Sequence, residues 1–281
     1  MERLKTERPK GSLPQTRGTA VPWKLTLGYD GSRFAGWQVQ PGHSTVQGEL
    51  ARAIARVTGE RTLPQGSGRT DAGVHALAQV ASVLLRAPIP PASLQRALNH
   101  ILPAAIRILD ARHARPGFHA RHSSINKTYE YRVWRNALCL PWLAPYVYSF
   151  TFPVSIGRLH AAAESVLGTH DFRSFQAQDQ DLAERERDTL KPPRTTIRTI
   201  FTSRWETSSS NADLLVYRVS GSGFLHHMVR NLAGTMLAIG RGQLPPDSMP
   251  AILAACSRSA AGPTAPACGL WLHSVAYPDG C

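Results

Sequence analysis

Apolar and polar residues alternate along Trp23-Lys24-Leu25-Thr26-Leu27, the period of a half-buried strand. A turn-rich stretch, Tyr29-Asp30-Gly31-Ser32, breaks that rhythm, and the spacing then changes. Val46, Leu50, Ala53, Ile54 and Val57 recur as one face of a helix. In front of them Ser44, with Gln47 three residues on, has the form of a capping box. Gln79–Leu85 reads as a strand, Ser93–His100 as a short helix with Ser93 as N-cap, and Arg107–Leu109 as a further strand.

The second half follows a similar scheme without repeating the sequence of the first. Thr128–Trp134 alternates as a strand, and Ser155 opens a helix through Leu167 that Gly168 closes. Thr196–Trp205 and Leu214–Val219 read as strands. His226–Ile239 reads as an amphipathic helix ending at Arg241 and Gly242, and Leu270–Ala276 as the last strand. Two successive units of mixed order predict an α+β chain with two sheets, each with helices on one face. The first unit covers residues 21–115 and the second 116–278. Residues 1–20 have only Leu4 and Leu13 as large aliphatics and read as a disordered basic tail. The charged stretch Gln176–Pro193 reads as a mobile loop.

Charge narrows the class of partner. Lys and Arg outnumber Asp and Glu 32 to 19, and the isoelectric point is near 10.3. Such an excess points to a polyanion, nucleic acid first and a membrane surface second. The longest apolar runs, such as Val80–Leu85, are far short of a membrane span, so the second option falls away. Cys139, Cys256, Cys268 and Cys281 are scattered with no CxxC pair, a pattern of reduced cytoplasmic thiols rather than a zinc site or disulfide framework.

Three stretches carry candidate chemistry. Gly66-Ser67-Gly68-Arg69-Thr70-Asp71-Ala72-Gly73 places an Arg, a hydroxyl and a carboxylate among three glycines that let backbone approach a ligand closely. It matches neither GxxxxGK[ST] nor GxGxxG, and locally a structural turn, a phosphate cradle and a catalytic turn all remain open. Ser220 through Asn231 is a Gly/Ser loop running into a helix that carries His226, His227 and Arg230. Adjacent helical histidines diverge by about 100°, which disfavours a shared metal and suggests one packed and one exposed imidazole. Arg230 in an apolar helix demands an anionic partner, and Asp71 is the candidate. Finally, Arg112 to Arg135 interleaves cations with Phe118, Tyr129, Tyr131 and Trp134, as an RNA groove does; an ordinary strand with one wet face fits as well.

Taken together these stretches resemble the bacterial tRNA pseudouridine synthase A family over roughly residues 23 to 278. Gly68 through His75 looks like that family's catalytic signature without a change. Tyr29-Asp30-Gly31, Phe34 to Gln38, Phe118 to Arg121, Lys127 to Tyr131, His170-Asp171-Phe172 with Ser174-Phe175, Phe224 to Asn231 and Gly269-Leu270-Trp271 follow in the family's order. Ala78 stands where the family usually has Gly. The resemblance implies two mostly antiparallel α+β subdomains with a basic cleft between them, and a homodimer, in line with the cytoplasmic setting that the cysteines suggest. It implies tRNA as partner through its anticodon arm, with uridines at positions 38 to 40 as targets, and no DNA, membrane, metal or organic cofactor. It implies Asp71 as the catalytic carboxylate, Arg69 as a holder of the flipped nucleotide, Tyr129 stacked on the uracil and Arg230 beside Asp71. A non-catalytic tRNA-binding protein on the same scaffold is the alternative.

Overall fold

The computed structural model describes residues 19–177 and 195–279. Most of the expected tail (1–20) and of the expected loop (176–193) therefore lies outside the described residues. The first half comprises β1 (Val21–Tyr29), α1 (Val46–Thr58), β2 (Gln65–Gly66), β3 (His75–Leu85), α2 (Pro91–Ile101) and β4 (Ile106–His113). The second comprises β5 (Asn126–Trp134), β6 (Tyr148–Ser149), α3 (Ile156–Glu164), β7 (Gly168–Asp171), β8 (Ile197–Ser208), β9 (Asn211–Gly221), α4 (Met228–Arg241), α5 (Ser248–Ala255) and β10 (Leu270–Ala276).

The alternation that marked β1 sends Trp23, Leu25, Leu27 and Tyr29 into the core. Antiparallel pairing joins β1 to both β3 and β4, and joins β5 to β9 and β9 to β8. The α+β class and the mostly antiparallel pairing are as expected. The two expected sheets, however, run into one another as a single ten-stranded sheet of order β4-β1-β3-β10-β5-β9-β8-β7. The joint is β10, antiparallel to β5 and parallel to β3 through Trp271↔His75 and Leu272↔Ala76. Side-chain alternation identifies a strand but not which edges it joins, so this closure was not readable from the pattern. Helix α2 packs on β4, and α3 lies against α4 and β8. None of the described helices is long and apolar enough to cross a membrane.

Four helix ends differ from expectation. Thr45, not Ser44, caps α1 by accepting from the Gly48 amide, and the Gln47 side chain instead accepts from Val39 N and donates to Pro64 O. Helix α2 starts with Pro91, whose fixed φ and missing N–H suit a first turn, so Ser93 is no cap. Ser155 does cap α3, but that helix stops at Glu164, and Gly168 (φ 92°) opens β7. Helix α4 begins at Met228, because His227 stands before it in the left-handed region at φ 59°. That last difference reshapes the site.

Candidate active site

The turn carrying Asp71 is held from beneath by side chains of the sheet. Gln79, fully buried in β3, accepts from Ser67 Oγ at 2.6 Å and donates to Gly68 O at 3.0 Å. Tyr29 Oη lies 2.8 Å from Thr70 Oγ1, and the Trp37 amide donates to Thr70 O at 3.0 Å. Gly36 closes this contact. Its φ is 91°, and a Cβ there would stand 2.6 Å from Thr70 O, so only glycine lets the two backbones approach. The segments Tyr29-Asp30-Gly31 and Phe34 to Gln38 thus form the underside of the Asp71 turn.

His75, the last residue of the signature, does not face the chemistry. It is fully buried, stacked on Trp271 at 4.4 Å between ring centres. Its Nε2 donates to Pro145 O, so its Nδ1 is left to accept from the Gly31 amide. Those two bonds fit the neutral ring, and burial pushes its pKa down in the same direction. His75 is therefore a pin that ties the Asp71 turn to β10.

Above the turn, Asp71 meets residues from the far half of the chain. Arg230 Nη1 donates to Asp71 Oδ2 at 3.2 Å, and Arg230 Nε donates to Ala265 O at 2.8 Å. The Arg230 side chain is 15% exposed and that of Asp71 21%, so the pair is largely shielded from solvent. His226 Nε2 lies 3.4 Å from Asp71 Oδ1, and His227 Nε2 lies 3.2 Å from Oδ2. Burial presses the Asp71 carboxyl towards its neutral form. The His226 imidazole against it, together with the charges of His227, His226 and Arg230, outweighs burial and holds it below the usual carboxylate range.

Tyr129 enters from β5. It is buried edge-on against Phe224, with ring centres 5.0 Å apart, and its hydroxyl would be 3.9 Å from a Cβ on Gly68. Burial, with Tyr29 and Asp71 nearby, raises its pKa far above the ordinary tyrosine value, so the hydroxyl stays protonated. Arg69 is exposed beside the turn. The geometry therefore brings Asp71, Tyr129 and Arg230 together at the junction of the two halves, with Arg69 at its edge.

The two histidines depart from the helical expectation. Extending α4 back over them put their rings on diverging faces; with His227 left-handed and outside the helix, the ring centres lie 4.0 Å apart and both reach Asp71. Gly221 and Gly223 just upstream were the available signal that the loop continues. The stretch 112–135 also divides differently from expectation. Phe118 and Tyr277 flank the ammonium of the buried Lys24, and Arg132 lies over Trp271 while bonding Glu130, so these serve the fold. Lys127 instead lines the site: its Cε would be 3.8 Å from a Cβ on Gly68, and its Nζ donates to Ser124 Oγ. Burial and the charges of Arg121 and Arg198 push the Lys127 pKa down to about 8.

The flank of Arg230 is equally built. Asn231, fully buried, donates to Phe175 O and accepts from Thr264 Oγ1, while Ser174 Oγ donates to Ile252 O. The residues His170 to Phe175 and Phe224 to Asn231 accordingly meet in space as supports for the start of α4.

A largely shielded aspartate in a glycine turn, paired with an arginine from the opposite half of a mostly antiparallel sheet, is the frame of an enzyme whose chemistry turns on one carboxylate. The family model described as tRNA pseudouridine synthase matches residues 27–123 and 162–278. The chain is 46% identical over 255 residues to the tRNA pseudouridine synthase A of Solibacter usitatus, covering 90% of this chain and 98% of that one. It is 44% identical to that of Moorella thermoacetica (90% and 98% covered) and 40% identical to that of Bacillus subtilis (91% and 99%). The chain belongs to the tRNA pseudouridine synthase family, isomerases that convert uridine to pseudouridine in tRNA.

Proposed function

We propose that this chain isomerises uridines at positions 38 to 40 of the tRNA anticodon stem-loop, with Asp71 as its essential carboxylate. The observation that carries the reading is the shielded 3.2 Å pair between Asp71 and Arg230, residues 159 apart in sequence. A guanidinium that orients a mostly shielded carboxylate and adds to what keeps it charged is what an attacking or proton-accepting aspartate needs.

The reaction breaks the C1′–N1 bond, turns the uracil, and forms a C5–C1′ bond; the C5 hydrogen leaves as a proton and N1 gains one, so composition is unchanged. The base must first leave its stack, at a cost of a few kcal/mol. Arg69, exposed beside the turn, holds the flipped nucleotide. Ionised Asp71 acts on the ribose, attacking C1′ or accepting a ribose proton; both routes require the ionised form, which His226, His227 and Arg230 favour together. Tyr129 stacks on the uracil, and its protonated hydroxyl helps transfer the C5 proton. No metal or organic cofactor enters this scheme.

Incubating the chain with unmodified tRNA and mapping pseudouridine tests the reading. Asp71→Ala should abolish product while tRNA binding persists. Turnover by that variant would overturn the role of Asp71, and tRNA binding without product by the wild-type chain would favour the non-catalytic reading. The chain further acts as a cytoplasmic homodimer, with residues 21–115 and 116–278 as subdomains flanking the cleft. Support for the dimer comes from exposed apolar side chains close together in sequence, Leu138 at 71% and Trp142 at 72%. Sedimentation should show twice the 30.7 kDa chain mass; a monomer at micromolar concentration would remove that part.

A further inference from the structure

Asp71, His226 and His227 each offer one donor atom, and the three atoms lie within 4.8 Å of one another. One imidazole faces each carboxylate oxygen, His226 Nε2 at 3.4 Å from Oδ1 and His227 Nε2 at 3.2 Å from Oδ2, so both nitrogens and the carboxylate already face one another across the spacing of a first metal shell. Ligands on a tetrahedral zinc at about 2.0–2.1 Å stand about 3.3 Å apart. The rings are reachable, with His226 36% and His227 26% exposed. Arg230 binds Oδ2 and Ala265 O, so the carboxylate that would ligate is already oriented by a second hydrogen-bond donor.

We infer that Asp71, His226 and His227 form an inhibitory site for a borderline transition-metal cation such as Zn²⁺, which competes with the reaction for the Asp71 carboxylate. Two imidazoles and one carboxylate select Zn²⁺, Co²⁺ or Cu²⁺ over Mg²⁺, which prefers an all-oxygen shell and dehydrates reluctantly. Against binding stands the Arg230 guanidinium, a fixed positive charge at the same carboxylate. With only three protein ligands as well, the site holds metal weakly enough for chelator to remove it. Occupancy would draw the Asp71 oxygens onto the cation and close the mouth of the turn beside Tyr129. The inhibitory consequence rests on Asp71 being the essential carboxylate; the binding itself does not.

Co²⁺ is the probe, because its visible absorption reports nitrogen and oxygen ligation directly. Titrating the metal-free chain should give one Co²⁺ per chain with a visible band, displaced by Zn²⁺. His226→Asn and His227→Asn should each weaken binding at least tenfold, and Asp71→Asn likewise, with circular dichroism and tRNA binding checking the fold. His119→Asn, in the other close histidine pair (ring centres 4.4 Å apart), should bind as wild type. Zn²⁺ should stop pseudouridine formation in wild type, with full recovery on adding EDTA, while Mg²⁺ has no such effect. Absence of Co²⁺ binding, or an unchanged spectrum in the His226→Asn/His227→Asn double variant, would overturn the site. Binding at these residues without loss of activity would overturn the inhibition. Activity surviving in Asp71→Ala would instead strike the catalytic reading while leaving the spectroscopic result standing.

Discussion

Arg230→Met removes a permanent charge 3.2 Å from Asp71 Oδ2 while keeping much of the side-chain volume. An opposite charge at this range lowers a carboxyl pKa by about 1–3 units. Burial and the two histidines each influence Asp71 more than Arg230 does, and imidazoles carry their own charge at the acid pH where a carboxyl titrates. The variant's shift is therefore upward and is the smallest of the changes that removing any one of these neighbours would bring. The sign follows from Asp71 being depressed in the folded chain: removing a cation raises its pKa, so the acid limb of kcat/KM moves to higher pH. At about pH 7.5 the carboxylate stays ionised in both proteins, and any loss there is one of position. Arg230 also bonds Ala265 O at 2.8 Å, so its removal frees both Asp71 and the start of α4. A misplacement of about 1 Å costs about 100-fold in rate, and that is the expected fall in kcat, with tRNA affinity changed only a few-fold. Arg230→Lys restores the charge without the fork, so the acid limb should return while kcat recovers in part. Tritium release from C5-labelled uridine in tRNA, followed from about pH 3, below the ordinary carboxylate range, to about pH 8 with EDTA present, measures both effects. An Arg230→Met enzyme with a wild-type acid limb and a wild-type kcat would refute the role of the pair.

Two further outcomes are expected. Tyr129→Phe keeps the ring against Phe224 and removes only the hydroxyl, so tRNA binding should hold while kcat drops by about 10²-fold or more if that hydroxyl moves a proton; an unchanged rate restricts Tyr129 to stacking. Lys127, with its pKa pushed down to about 8, is charged below that pH and loses charge above it. Contact with an RNA phosphate favours the charged form, so tRNA affinity should fall as pH rises through 8 and binding near that pH should take up a proton. Lys127→Met should abolish both effects and reduce the salt slope by about 0.7–0.9. Calorimetry in buffers of different ionisation enthalpy reads the uptake, and an identical uptake in the variant would exclude a phosphate contact.

Much of the fold was legible because its elements carry their own periodicity. The alternation of Trp23, Leu25 and Leu27 and the helical spacing of Val46, Leu50 and Ile54 each end in burial. Helix ends were less legible, since a cap is chosen by geometry among neighbours of similar chemistry: Thr45 wins over Ser44, and Pro91 starts α2 ahead of Ser93. Pairing partners were not legible at all, because β10 looks like any short strand until it bridges β3 and β5. At the candidate site, Asp71 and Arg230 drew attention through chemistry, a carboxylate among glycines and a cation in an apolar helix, whereas Tyr129 entered through the family resemblance. His226 and His227 escaped because their convergence depends on one left-handed φ at His227, which no side-chain pattern announces.

The joint at β10 explains why segments far apart in the chain recur together. Asp71 stands four residues before His75, and His75 is both registered and stacked on Trp271 of β10. On its other edge β10 pairs Leu272 with Tyr129. A short strand, through its backbone pairing and the Trp271 ring under His75, thus sets the separation between the Asp71 turn and the ring of Tyr129. Arg230 is fixed by a second route, Ala265 O and the Asn231 bonds to Phe175 and Thr264. Two independent supports converging on one carboxylate place the site at the sheet's junction rather than within either half. The Gly269-Leu270-Trp271 segment, which carries no reactive group, is therefore as necessary to the geometry as the turn that carries Asp71.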